Sequence, residues 1–299
     1  NMNREKYTNS NYTPDSNTSK EIEALNNQNE DLSNFNLNKA DLEKIYLVNA
    51  QMQNSNLSKA NLKNASMYGI NLKGSNLFKT NLENANLNNA NLENCNLLGA
   101  NLSNTKLKNV TWGQDYKVIN ELQAEEALIK GDKKTSKEKY KEAEDVYRAI
   151  KISMQSQTLG DETGEFFIRE MVSRRKQFNK FSTSRIGSKI IEITTGYGEK
   201  LRNIIYTVLG IIIICMFLYG IEGVSYQDKI LGFGSNDFSI LSTLGNLFYF
   251  SVVVYSTVGF GEIVPIGPIG KIVMMFEGIM GGLVLAILII ALYKKTMDR

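Results

Sequence analysis

Residues 257–261 of this chain read Thr257-Val258-Gly259-Phe260-Gly261, and an acidic residue, Glu262, follows them directly. The preceding segment, residues 238–256, carries no charged side chain, and a long apolar segment follows at residues 270–293. Gly259 and Gly261 allow backbone angles that turn successive carbonyl groups toward one axis. The pattern predicts a glycine-containing loop between two apolar segments.

Two apolar segments are long enough to cross a bilayer core, which takes ~20 residues. They span residues 203–221 and residues 270–293. With two crossings, the basic clusters that flank the pair both lie in the cytoplasm, as the positive-inside rule requires; three crossings would place one cluster outside. Residues 238–256 are therefore predicted to re-enter the membrane without spanning it, with both termini cytoplasmic. The flanking basic residues are Lys189, Lys200, Arg202, Lys294, Lys295 and Arg299.

The sequence from Leu247 to Glu262 resembles the pore loop of two-transmembrane tetrameric potassium channels. A pore helix is predicted over about residues 243–255, with Ser242 or Thr243 as its N-cap and its negative C-terminal dipole toward the pore. The resemblance implies a multidomain membrane protein whose residues 185–299 form an all-α pore domain with two spans and a re-entrant loop. It also implies a homotetramer in the plasma membrane that conducts K⁺ passively, because one loop supplies a quarter of a carbonyl ring.

The resemblance implies roles for individual residues. The filter comprises Thr257, Val258, Gly259, Phe260 and Gly261, and the carbonyls of its first four residues bind dehydrated K⁺ together with the Thr257 hydroxyl. Glu262 lies at the outer mouth, where it raises the local cation concentration. The filter-support positions are Tyr249, Phe250 and Ser256. The candidate gating hinges of the last helix are Gly278, Gly281 and Gly282. Helix packing through small residues explains these glycines equally well.

Phe260 departs from the potassium-channel pattern, which has tyrosine at this position. Tyr249 and Phe250 also stand where many members of the family have two tryptophans. Phenylalanine lacks the hydroxyl that could tie the filter to its supporting helix. We therefore expect a less rigid filter that inactivates or admits some Na⁺. A weakly selective cation channel is the alternative within transport.

A strict five-residue repeat occupies residues 31–112. Neither a helix nor a flat strand keeps a period of five on one face, whereas a solenoid of stacked coils does. The repeat resembles the pentapeptide-repeat family, which implies a right-handed quadrilateral β-helix with one pentad per face. Residues two positions before the central ones are mostly small, and Cys95 at such a position is predicted to be a buried packing thiol. The central residues are Leu32, Leu37, Leu42, Leu47, Met52, Leu57, Leu62, Met67, Leu72, Leu77, Leu82, Leu87, Leu92, Leu97, Leu102 and Leu107, and Trp112 continues the register.

Asparagine recurs directly before the central residues, and stacked asparagines can hydrogen-bond from coil to coil as a structural ladder. The repeat region carries more lysines than carboxylates, the opposite of the acidic surface with which some family members mimic DNA. We therefore expect a cytoplasmic domain for assembly or gating, with an unidentified ligand or protein as candidate partner. Nucleic acid is not expected as a partner, because the formal net charge of the chain is only +3. A membrane-tethered scaffold that binds a protein partner, with a vestigial pore, is the alternative from another functional class.

The remaining segments are interpreted from composition and helical spacing. Residues 1–30 are polar, rich in Asn and Ser, and predicted to be disordered. Residues 113–184 are predicted to form an α-helical connector, a hairpin whose first helix has Ser136 as N-cap and whose second covers residues 165–178. Residues 194–199 look like a second filter, but the segment before them is basic and polar, so we expect a turn at the membrane surface.

The chain contains no His, which removes the commonest general base and metal ligand. No acid–base or nucleophile constellation is present in the sequence, so neither an enzyme nor a cofactor is expected, apart from K⁺ as the permeant ion. No Arg-rich helix precedes the pore, which argues against a voltage sensor and leaves the gating stimulus open. Glu277 is costly in lipid and is expected to pair near the filter support or to act as a proton-sensitive group.

Overall fold

The computed structural model describes residues 2–157, 160–235 and 238–297. The chain divides into two compact units, one up to Lys189 and one from Ile190 to Met297. The first unit holds the repeat region and most of the helical connector, and the second holds the long apolar helices.

Backbone pairing in the repeat region follows a period of 20 residues. Parallel bridges join residues 20 positions apart, from Asn36 with Asn56 to Asn91 with Thr111. Each coil therefore contains four pentads, and bonds such as Leu37 N–H to Asn56 O (2.7 Å) join consecutive coils. The central Leu and Met residues are at most 5% exposed and form one continuous core. The predicted β-helix is confirmed, and its right-handed quadrilateral form stays a prediction.

The turn of each pentad contains a residue with positive φ, two positions after the central Leu or Met. Asparagine fills most of these positions because its short polar side chain tolerates the left-handed region. At one corner of the solenoid, lysine takes the place of asparagine in three successive coils. Lys39, Lys59 and Lys79 occupy this corner, with φ of 61°, 60° and 54°, and all three are exposed.

Hydrogen bonds hold the small buried side chains to the neighbouring coil. Ser75 Oγ donates to Met52 O (2.8 Å), and Cys95 Sγ donates to Leu72 O (2.9 Å) in the same way. Burial raises the pKa of the Cys95 thiol to about 12, as expected for a packing residue. The asparagine ladder is also present. Its members include the pairs Asn56 to Asn36 (3.0 Å), Asn96 to Asn76 (3.2 Å) and Asn101 to Asn81 (3.1 Å).

Two short helices cover the first coil, where the sequence predicted a disordered tail over residues 1–30. They are α1 (Met2–Thr8) and α2 (Thr18–Asn27). Tyr7 is fully buried, its ring stacks on Phe35 at 5.2 Å, and its carbonyl accepts a hydrogen bond from Asn36 N–H (2.7 Å). The prediction of disorder was wrong because the first coil leaves an open backbone edge and an apolar core, which Tyr7 and the fully buried Ile22 cover.

The helical connector begins with a 3₁₀ turn at Gln114–Tyr116. Its helices are α3 (Ile119–Ile129), α4 (Lys133–Gln155), α5 (Gly160–Lys176) and α6 (Thr183–Thr195). The N-cap of α4 is Asp132, whose Oδ1 accepts from Thr135 N–H (3.0 Å), so the predicted cap at Ser136 was wrong. Ser136 lies inside the helix, where it is buried and donates to Ala124 O of α3 (2.8 Å).

The connector also covers the last coil of the solenoid. Trp112 packs edge-to-face against Phe166 of α5, with ring centroids 5.0 Å apart. Gln157, two residues after the end of α4, accepts a hydrogen bond from Leu107 N–H at its Oε1 atom (3.0 Å). Both open ends of the β-helix are thus covered by helices from the same chain.

The second unit contains two long helices, a shorter one and a small sheet. The helices are α7 (Leu201–Glu222), α8 (Ile240–Tyr255) and α9 (Pro268–Met297). Within the described residues, α7 and α9 are long and apolar enough to cross a membrane. They run antiparallel, because Gly270 N–H donates to Glu222 Oε2 (2.5 Å) at one end and Lys294 Nζ pairs with Glu199 (2.7 Å) at the other. A 3₁₀ turn at Gly196–Gly198 precedes α7, where the sequence predicted a turn.

A three-stranded sheet lies at the C-terminal end of α7 and brings the chain back there before α9 begins. Its strands are β1 (Val224–Tyr226), β2 (Lys229–Leu231) and β3 (Ile263–Pro265), in the order β2-β1-β3. β1 follows α7 and β3 precedes α9, and the two pair antiparallel, with Val224 opposite Pro265. The segment between these strands therefore starts and finishes at the same end of the α7–α9 pair.

Candidate functional site

Helix α8 leads into the loop that the sequence singled out. Its N-cap is Ser239, whose Oγ accepts from Ser242 N–H (3.4 Å), so the predicted caps at Ser242 and Thr243 were wrong. The helix extends further back through Ile240 and its neighbour Leu241, which are about 80% exposed and give no burial signal. Its buried face includes Leu247, Phe250 and Val254, which pack in the core of the second unit.

After Tyr255 the backbone leaves the helix and alternates in sign. Thr257, Gly259 and Gly261 have φ of 59°, 58° and 78°, whereas the intervening Val258 and Phe260 keep ordinary negative angles. Left-handed angles at every second residue turn carbonyls that would otherwise point in opposite directions toward the same side. Glycine adopts such angles without strain, and Thr257 adopts one at a cost of order 1–2 kcal/mol.

The carbonyls of residues 257–261 are free in the described part of the chain, because no backbone N–H there donates to them. The side chains of Val258 and Phe260 are 55% and 65% exposed, and Glu262 is exposed as well. Carbonyl oxygens without a donor in the protein can accept hydrogen bonds from water or bind a cation. The exposed apolar side chains beside them are typical of a surface that contacts further protein.

The three predicted filter-support residues differ in their contacts. Phe250 is 4% exposed, and its ring packs on Tyr219 of α7 with centroids 4.7 Å apart. Tyr249 is 41% exposed and lines, with Phe260, a cleft between α8, the loop and β3. Ser256 donates only to Val253 O of its own helix (3.1 Å). Within one copy of the chain, Phe250 alone of the three is packed in the core.

The three candidate hinge glycines are not equivalent. A Cβ on Gly281 would lie 2.1 Å from the carbonyl oxygen of Tyr255, whereas a Cβ on Gly278 or Gly282 would meet nothing within 4 Å. Helix α9 continues without interruption through all three positions. Gly281 thus allows close contact between α9 and the last turn of α8, and bending at these glycines stays a prediction.

A polar cluster that the sequence did not assemble lies behind α8. Glu277 of α9 is fully buried, and its Oε2 accepts a hydrogen bond from Tyr219 of α7 (2.7 Å). Its Oε1 hydrogen-bonds Ser251 of α8, and the Cys215 thiol of α7 also bonds the carboxyl group. In the sequence, the one sign of this cluster was an acidic residue within an apolar segment. Its partners could not be identified from the sequence because they come from two other helices.

Comparison with known proteins assigns both parts of the chain. Residues 223–297 match a family model described as "Ion channel", and residues 36–74 and 75–111 match the model for pentapeptide repeats, with eight copies. No curated protein matches the chain.

Solved structures resemble the repeat region. A pentapeptide repeat protein from the cyanobacterium Cyanothece 51142 is 48% identical over 27% of this chain and 56% of its own, with a TM-score of 0.27. A pentapeptide repeat protein from Nostoc Pcc 7120 is 31% identical over 31% of this chain and 74% of its own, with a TM-score of 0.18. The match therefore spans about half the length of the Cyanothece protein. The chain therefore joins a segment that matches the pentapeptide-repeat family, residues 36–111, to a segment that matches an ion-channel family, residues 223–297.

Proposed function

We propose that the protein is a potassium-selective channel that conducts K⁺ passively through the backbone carbonyls of residues 257–261. The alternation of φ along the loop carries this proposal, because it aligns five successive carbonyls that have no donor in the described chain. Carbonyl oxygens arranged in rings can replace the water shell of K⁺. The C-terminal end of α8 adds a partial negative charge before the loop, and Glu262 adds a full one after it.

The working unit is a homotetramer, with the four loops around a common axis. One copy supplies only one side of each carbonyl ring, and the exposed Val258 and Phe260 give each loop apolar surface for its neighbours to cover. The pairing of β1 with β3 supports a re-entrant loop between two spans, because the segment enters and leaves at one end of the α7–α9 pair. Both termini and the β-helix then lie in the cytoplasm, on the basic flank of the spans, in the plasma membrane.

The pentapeptide-repeat domain serves assembly or gating of this pore. Its core is closed at both ends by helices of the same chain, so its free surface is the outside of the coils. This surface includes the Lys39, Lys59 and Lys79 column, whose positive charge suits a partner with an acidic surface. A right-handed quadrilateral β-helix is part of the same proposal.

Potassium flux from liposomes tests the channel. The reconstituted chain is loaded with K⁺, and we expect an outward flux that Ba²⁺ blocks. Gly259→Ala, which strains a residue with φ of 58°, is expected to abolish the flux, and Gly234→Ala, at a position with open space and no positive φ, is the matched control. A reversal potential in mixed K⁺ and Na⁺ separates a selective channel from a weakly selective one. Absence of flux from well-folded protein would favour the membrane-tethered scaffold.

A further inference from the structure

We infer that Glu277 is an uncharged carboxylic acid that donates a hydrogen bond to Ser251 and thereby positions the pore helix α8. The role in conduction rests on the proposed channel function, and the protonation state does not. Glu277 is a positioning residue, since it contacts the helix that leads into the loop and not the loop itself.

Within the described residues, the groups that contact the Glu277 side chain are neutral. The groups that bond it are the hydroxyls of Tyr219 and Ser251 and the thiol of Cys215, and the other nearby titratable group is the Tyr255 phenol of α8. The carboxyl group is 0% exposed. An ionised carboxylate held in this way, without a cation, would carry a large desolvation cost.

The hydrogen count around Ser251 points to the same state. Ser251 is fully buried and has a single hydroxyl proton. Its Oγ lies within hydrogen-bond distance of two acceptors, the Ile212 carbonyl of α7 (2.9 Å) and Oε1 of Glu277. If Glu277 were ionised, the single proton of Ser251 could serve only one of these two acceptors. The other contact would then place two oxygen atoms next to each other without a proton between them.

A proton on Oε1 of Glu277 satisfies both contacts of the Ser251 hydroxyl. Tyr219 O–H then donates to Oε2, Glu277 O–H donates to Ser251 Oγ, and Ser251 O–H donates to Ile212 O. The chain of bonds runs from α7 through α9 to α8 and back to α7. It fixes Ser251, which lies one helical turn before Tyr255 and the start of the loop.

The neutral state makes a specific prediction about substitution. Glutamine presents an amide N–H and a carbonyl in the same places as a protonated carboxyl group, so Glu277→Gln reproduces all three bonds. Glu277→Leu keeps the approximate volume and removes them, leaving Tyr219 and Ser251 short of a partner. Ser251→Ala breaks the link to α8 alone, and Ser242→Ala near the start of the same helix, where the hydroxyl contacts only the side chain of Asn246 among the described residues, is its control.

Infrared spectroscopy tests the protonation state without requiring conduction. The chain in lipid at pH 7 is expected to show a carbonyl-stretching band of a protonated carboxyl group that is absent from Glu277→Gln. Identical spectra for the two proteins in this region would overturn the inference. This outcome stands even if the wild-type chain passes no current, which would refute the proposed channel function alone.

Flux and reversal potentials test the positioning role. Relative to wild type, we expect Glu277→Gln and Ser242→Ala to stay within about twofold in K⁺ flux. We expect Glu277→Leu and Ser251→Ala to lose about tenfold in flux or in K⁺ over Na⁺ selectivity, the effect of about one buried hydrogen bond. Loss of function in Glu277→Gln would show that the charge is needed, and normal function in Glu277→Leu would show that the cluster positions nothing. Melting curves of each variant exclude simple misfolding.

Discussion

The α-carbon of Gly281 in α9 lies against the carbonyl oxygen of Tyr255, so closely that a Cβ on Gly281 would be 2.1 Å from that oxygen. Tyr255 is the last residue of α8, two positions before Thr257. The backbone of α9 therefore supports the turn from which the loop starts, and this contact leaves no space for any side chain.

Gly281→Ala is expected to displace the end of α8, because the new methyl group overlaps backbone that cannot rotate away. Overpacking of this kind costs roughly 1–3 kcal/mol, and we expect a matching fall in thermal stability together with reduced K⁺ flux. Gly278→Ala and Gly282→Ala have open space and should raise helix stability by up to ~1 kcal/mol with flux unchanged. Flux lost in all three variants would favour a gating hinge over local packing.

Phe260→Tyr is expected to raise K⁺ selectivity and to slow inactivation. Phe260 lines the same cleft as Tyr249 and the end of α8, so a phenol oxygen there can find a hydrogen-bond partner on the supporting structure. Reversal potentials and current decay in mixed K⁺ and Na⁺ measure the effect, with Phe248→Tyr on the exposed part of α8 as the control for an added hydroxyl. High selectivity and stable currents in both wild type and Phe260→Tyr would contradict a loosely held filter.

Lys59→Asn is expected to stabilise the β-helix. Lys59 has φ of 60°, a conformation that Asn tolerates better than Lys, and it lies between Lys39 and Lys79 of the adjacent coils, about 5 Å away on either side. We expect a gain of roughly 0.5–1 kcal/mol in the unfolding free energy, measured by denaturation followed with circular dichroism. Lys59→Gln removes the charge without the turn preference, and Asn64→Lys, at φ of 59°, should destabilise the domain. Equal stability of all three variants would refute the argument.

Cys95→Ser is expected to leave stability at neutral pH within ~1 kcal/mol, because Ser75 fills the equivalent position one coil earlier with the same type of hydrogen bond. The two proteins should differ at high pH. Burial raises the pKa of Cys95 from 9.0 to about 12 in the folded chain, so above pH 9 the thiol ionises more readily in the unfolded chain. Wild type should therefore lose stability relative to Cys95→Ser between pH 9 and pH 12, and parallel pH curves would show that the thiol is not buried.

Features that are encoded in a short local pattern of residues were predicted correctly from the sequence. The five-residue period identified the β-helix without reference to the rest of the chain, and the uncharged run before Thr257 indicated α8. Features that depend on distant partners were missed. Tyr7 and Ile22 are two apolar residues in a polar segment, and they order it only because the first coil leaves an open end. Glu277 was recognised as unusual, but its bonds to Tyr219 and Ser251 arise from the packing of three helices.

Because each coil contains 20 residues, the length of the solenoid can change only by whole coils if the pairing between coils is to be kept. Removal of one whole coil, for example residues 57–76, would bring the remaining bridge partners into register and shorten the domain by about 4.8 Å, one strand spacing. Removal of a single pentad would instead shift every later residue to the neighbouring face and turn the exit of the chain by about a quarter of a coil. Natural variants of this protein should therefore differ in this domain by multiples of 20 residues, since only those keep the face from which the chain leaves the solenoid.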